Sequence, residues 1–112
     1  MRSDKERLLD ILEAIDKIEQ HDLPDRDALA GDESAQVWVL YHVQIIGEAA
    51  SRLSPSLQAA HPDVPWADII AMRNVIIHHY FGIDLDQVWD AVCNDVPQLK
   101  KWVTDILATL AG

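Results

Sequence analysis

DESAQVWVLYHVQIIGEAASRL, residues 32–53, decides the fold. Its apolar residues (Val37, Trp38, Val39, Leu40, Tyr41, Val43, Ile45, Ile46, Ala49, Ala50 and Leu53) cover more than one face of a helix. A helix that is apolar nearly all round is buried or touches two neighbours. This one therefore reads as a central helix with an interface in addition to its core contacts. Gly47 and the two alanines let another helix approach closely.

Outward from that segment only helices appear. Toward the N-terminus, Leu8, Ile11, Leu12, Ile15 and Ile18 form one apolar stripe on an otherwise charged helix. Ser3 followed by Glu6 reads as a capping box that starts this helix near residue 4. Residues 21–31 hold Pro24, Gly31 and several aspartates, a loop with room for one helical turn. On the other side, Ser54-Pro55 is a cap followed by proline at the first helical position, predicting a short helix to about Ala60. A third long helix is expected from near Pro65 to about Phe81, ended by Gly82. The last begins at Asp84, with Gln87 three residues on, and follows a 4-3-4-3 seam of Leu85, Trp89, Val92, Val96, Leu99, Val103, Ile106 and Leu110. Pro97 predicts a kink or break around Asn94 to Pro97. Period-2 alternation and Asn-Gly or Asp-Gly turns are missing. The expected fold is all-α: one domain over residues 1–112, an up-and-down bundle of four main helices plus a short one.

Composition narrows the function. Hydrophobic residues make up 49 % and charged residues 25 % of the 112, which excludes a disordered or fibrous chain. No apolar run approaches the ~20 residues of a membrane span. The charged start MRSDKERLLD is unlike a secretory signal, and the one cysteine, Cys93, has no disulfide mate in the chain, so a cytoplasmic, reducing setting is expected. Nine Lys and Arg against 19 Asp and Glu give −10, so the chain repels nucleic acid over most of its surface. A function directed at RNA must work through a few local cations.

One segment looks like chemistry: Ala71-Met72-Arg73-Asn74-Val75-Ile76-Ile77-His78-His79-Tyr80-Phe81-Gly82. Arg73 and Tyr80, seven apart, share a helical face with about 10.5 Å of rise between them. Asn74 and His78, four apart, share a neighbouring face. Arg73 and His78 lie about 140° apart on the wheel, so two copies facing across a two-fold axis bring them together better than one helix does. Arginine is a planar, always-charged fork suited to phosphate, and a histidine imidazole can move a proton near neutral pH. Together they can cleave RNA, with the base taking the ribose 2′-OH proton and the guanidinium stabilising the phosphoryl charge. Read from the residues alone, a structural role for these side chains stands beside catalysis. A metal site from His42, His78 and His79 is disfavoured, because His42 lies on another helix and no carboxylate sits at a ligand offset; no metal or cofactor is expected. Trp38, Trp66, Trp89 and Trp102 each sit in an apolar helical pattern and read as core.

With these residues in view, the chain resembles the HEPN superfamily, and within it the HepT toxins of HepT–MntA (type VII-like) toxin–antitoxin systems. Arg73, His78 and Tyr80 match R-x-x-x-x-H-x-Y. Ile46-Gly47-Glu48-Ala49-Ala50 with Arg52-Leu53-Ser54, Pro65-Trp66, Ile69-Ile70 and Tyr80-Phe81-Gly82-Ile83-Asp84 with Val88-Trp89 look like the family's flanking segments. Ala71 stands where glycine is expected, and His79 fills a variable position. The resemblance implies a homodimer with a composite cleft and a metal-independent ribonuclease acting on RNA such as tRNA or mRNA. Arg73 and His78 would be catalytic, with Asn74 and His79 supporting. The partner would be an MntA-like minimal nucleotidyltransferase that places AMP on Tyr80. The alternative is an inactive HEPN scaffold for that nucleotidyltransferase. A purely structural helical dimer is the third reading.

Overall fold

The computed structural model describes residues 2–77 and 85–110, of which residues 74–77 are described by their backbone alone. Its elements are α1 (Asp4–Glu19), α2 (Arg26–Ala30), α3 (Glu33–Ser51), α4 (Pro55–Ala60), α5 (Trp66–Ile77), α6 (Leu85–Asp90), a π-helical turn (Ala91–Asp95) and α7 (Val96–Leu110). No strand occurs among the described residues. The all-α expectation is met.

Local chemistry explains where the helices start. Ser3 accepts from the Glu6 amide while Glu6 accepts from the Ser3 amide, so the capping box is present. Asp25, Asp32 and Ser54 each accept from the amide three residues on, satisfying a donor that the helix itself cannot. The loop over residues 21–31 contains one short helix, α2, which Arg26 ties to Asp86 of α6. The predicted end of the third helix at Gly82 and the cap at Asp84 lie outside the described residues.

Packing follows the apolar stripes. Leu8, Ile11 and Ile15 of α1 are fully buried, each stabilising the fold by about 1.5–3 kcal/mol relative to exposure. They meet α3, which runs antiparallel to α1. Trp38 donates its indole N–H to the Lys17 carbonyl (2.7 Å) at one end, and Ser54 donates its hydroxyl to Asp4 (2.6 Å) at the other. Val39, Val43, Ile46 and Ala50 are the buried side of α3, whereas Val37 and Tyr41 stay 58 % and 61 % exposed. The all-round apolar character of α3 thus covers a core face and an uncovered face in this single chain.

Pro97 breaks the regular pattern, but earlier than expected. The distortion is a π turn over Ala91–Asp95 that runs straight into α7, whose second residue, Pro97, has no N–H to give to the preceding turn. A π turn inserts one extra residue, so the buried seam shifts phase upstream. Val88 and Ala91 are buried, and Leu85, Trp89 and Val92 are only half-buried. Downstream, Val96, Leu99, Val103 and Ile106 hold the seam as read, although Leu110 is exposed. Of the tryptophans, Trp66 alone is buried; Trp89 and Trp102 are half-buried against the core, and Trp38 is half-buried between His21 and His42.

Candidate active site

The sequence of α3 places a glycine where α5 crosses it. A Cβ on Gly47 would lie 2.7 Å from Arg73 Cβ, 3.1 Å from its amide nitrogen and 3.2 Å from the Ile70 carbonyl oxygen. No larger residue fits without moving α5, which realises the close approach expected at Gly47. That approach sets Arg73 of α5 against Glu48, the next residue of α3. Arg73 Nη1 donates to Glu48 Oε1 at 2.8 Å.

This ion pair sits at the surface rather than in the core. The Arg73 side chain is 31 % exposed, its guanidinium reachable from solvent while its stem packs on α3. Arg52, one turn after Glu48, approaches the same carboxylate at 3.9 Å. A half-exposed pair of this kind is worth about 0–1 kcal/mol. An incoming phosphate oxygen can therefore displace Glu48 at little cost, and until then the carboxylate holds the fork in one orientation.

The other sequence-derived candidates stand differently. Asn74 lies on α5, one residue after Arg73, with its backbone helical. His78, His79 and Tyr80 lie outside the described residues. His42 is a core histidine, 6 % exposed, whose Nδ1–H donates to the Trp38 carbonyl at 2.7 Å. Its ring meets Trp38 at 4.5 Å and Tyr41 at 5.1 Å between centres. Among the described residues no group of three or more His, Cys, Asp and Glu could hold a metal ion. No described helix is long and apolar enough to cross a membrane.

Sequence reasoning missed the partner of Arg73. Glu48 stands 25 residues away and reads as one more acid on a solvated face. The available signal was its place beside Gly47, where the neighbouring helix had to come closest. Asp95, in the π turn, was also unmarked. Its carboxyl is pushed above the ordinary range by burial first, then by Asp90 and Asp68.

A family model described as ribonuclease HepT-like matches residues 11–106. A protein of Thermococcus cleftensis named "Probable ribonuclease HepT" is 39 % identical over 101 residues, covering 88 % of this chain and 91 % of its own. A Methanocaldococcus jannaschii protein with a provisional RNase name is 38 % identical over 103 residues, 91 % of this chain and 94 % of its own. Another from the same organism, named as a gamma-glutamylcyclotransferase and provisional RNase, is 33 % identical over 112 residues, 98 % of this chain but 50 % of its own. No solved structure matches.

Proposed function

The chain belongs to the HepT-like ribonuclease family, and from that premise we propose that it is a metal-independent endoribonuclease acting through Arg73 and His78. The observation that carries this is the Arg73 guanidinium, held half-exposed by Glu48 at the crossing of α3 and α5. Its bond to a carboxylate oxygen shows the fork in a geometry that also suits a phosphate oxygen. His78 takes the proton from a ribose 2′-OH. The 2′ oxygen then attacks the adjacent phosphorus, forming a cyclic phosphate as the bond to the 5′ oxygen breaks and that oxygen gains a proton. Arg73 stabilises the charge on the phosphoryl oxygens, with Asn74 and His79 supporting. The nucleophile belongs to the substrate, so the chemistry needs no metal and spares DNA.

Two features complete the proposal. The active unit is a homodimer: the five-residue spacing of Arg73 and His78 corresponds to about 140° on a helical wheel, a separation that two facing copies overcome. The chain is the toxin of a HepT–MntA pair, silenced when a minimal nucleotidyltransferase adds AMP to Tyr80. There the phenol oxygen forms a bond to the α-phosphorus of ATP, pyrophosphate leaves and the phenol loses its proton. By its seven-residue spacing from Arg73 in the sequence, the added phosphodiester would share a helical face with the guanidinium and compete with substrate phosphate.

Expression of the chain in a bacterial host is the test. It should arrest growth, and Arg73→Ala and His78→Ala should each restore growth at equal protein level. Co-expression with a minimal nucleotidyltransferase of the MntA type should add AMP mass units that vanish in Tyr80→Phe. Variants as toxic as the parent would remove the nuclease assignment and favour the scaffold reading.

A further inference from the structure

The net charge of −10 hides where the free cations stand. Between the antiparallel helices α1 and α3 lies a groove of about 590 Å³, into which Arg7 and Lys17 project from α1 and Arg52 from α3. Of the groove's carboxylates, Asp10 is taken by Arg2 (2.9 Å) and Glu48 by Arg73 (2.8 Å), which leaves Glu13. Arg7 and Lys17 pair with no carboxylate among the described residues, and Arg52 reaches Glu48 only at 3.9 Å. Glu48 lines the groove and also binds Arg73, so the groove wall is one ion pair away from the candidate catalytic arginine.

Its length and lining suit a particular ligand. Ten residues of α1 separate Arg7 from Lys17, about 15 Å along the axis, or roughly four stacked nucleotides at about 3.4 Å each. At the Lys17 end the exposed Tyr41 ring stands edge-on to His42, which also lines the groove. His42, 6 % exposed with its Nδ1–H on the Trp38 carbonyl, backs the Tyr41 ring from inside the fold. An exposed aromatic ring between spaced cations is the pattern of single-strand binding. A duplex would bring a second row of phosphates against the acids crowded into residues 4–33.

We propose that the α1/α3 groove is the track along which single-stranded RNA reaches Arg73, with phosphates on Arg7, Arg52 and Lys17 and a base on Tyr41. The proposal rests on the ribonuclease reading and adds where the substrate lies. The experiment uses the full chain, a fluorescent single-stranded RNA and three forms: the parent, Arg7→Gln/Lys17→Gln, and Lys5→Gln/Lys101→Gln, which removes the same charge outside the groove. The groove variant should raise KM at least tenfold with kcat within twofold. It should also flatten the slope of log KM against log salt by about 1.4, from about 0.7 per phosphate contact on a single strand. The control should match the parent, and both should melt as the parent does. A groove variant indistinguishable from the control, while the parent cleaves, overturns the proposal. If the parent cleaves nothing, fluorescence anisotropy of the same RNA decides. Salt-sensitive binding lost only in the groove variant upholds the track without the nuclease, whereas equal or undetectable binding in all three forms overturns it.

Discussion

Gly47→Ala perturbs the crossing that aims Arg73. The new Cβ would lie 2.7 Å from Arg73 Cβ and 3.2 Å from the Ile70 carbonyl oxygen, both fixed by the α5 backbone. Ordinary contact begins near 3.4 Å, so α5 must retreat by about 0.7 Å. Overpacking of this sort costs about 1–3 kcal/mol. Alanine in place of glycine inside a helix returns about 1 kcal/mol. The net expectation is a loss of about 1 kcal/mol, a fall in Tm of ~4 °C for a chain of this length. The same retreat stretches the 2.8 Å bond between Arg73 and Glu48 beyond hydrogen-bond reach. A misplacement approaching 1 Å costs up to about a hundredfold in rate, so RNA cleavage should drop at least tenfold while most of the chain stays folded. Thermal melting by circular dichroism and a cleavage assay on the same preparation check both. A higher Tm with unchanged cleavage would refute the reasoning, because it would mean that α3 and α5 have room to spare at this point.

Other perturbations have definite signs. Ser54→Ala removes the cap of α4 and the hydroxyl bond to Asp4, leaving only the Ser54 amide on that carboxylate, so it should lower stability by about 1–2 kcal/mol in a denaturant titration. Asp95 has a raised folded pKa, so its neutral form favours the fold below the unfolded carboxylate value and that contribution is lost as pH rises through the folded value. Asp95→Asn should therefore raise Tm near pH 7 by ~1–2 °C, a small gain because the group is partly solvated, and the gain should disappear below about pH 4. Glu48→Gln keeps the shape but weakens the hold on Arg73. Cleavage should fall severalfold, mainly through KM because the hold acts only until phosphate displaces it, with the melting curve unchanged.

Much of the fold was legible because it is written in short-range chemistry. The caps at Ser3 and Ser54 and the stripe from Leu8 to Ile18 each involve neighbours within one or two turns. Pro97 announced a distortion, but a proline does not say how the chain absorbs it. The π turn before it rotates α6 by one residue, and Val88 replaces Trp89 in the core. In the candidate site, Arg73 stood out as a cation on an apolar helix. Glu48, Arg7 and Lys17 did not, since each looks like an ordinary charge on a wet helix face until α1, α3 and α5 are packed. The pairing of charges is tertiary information: the sequence counts nineteen acids, while the fold shows which of them already hold a base.

Cleavage of a labelled RNA by the purified chain in excess chelator, comparing the parent with Arg73→Ala, tests the central claim most directly. The account predicts cutting by the parent and a loss of at least a hundredfold in the variant, which should keep its Tm within a few degrees. Equal cutting by the two proteins would contradict it.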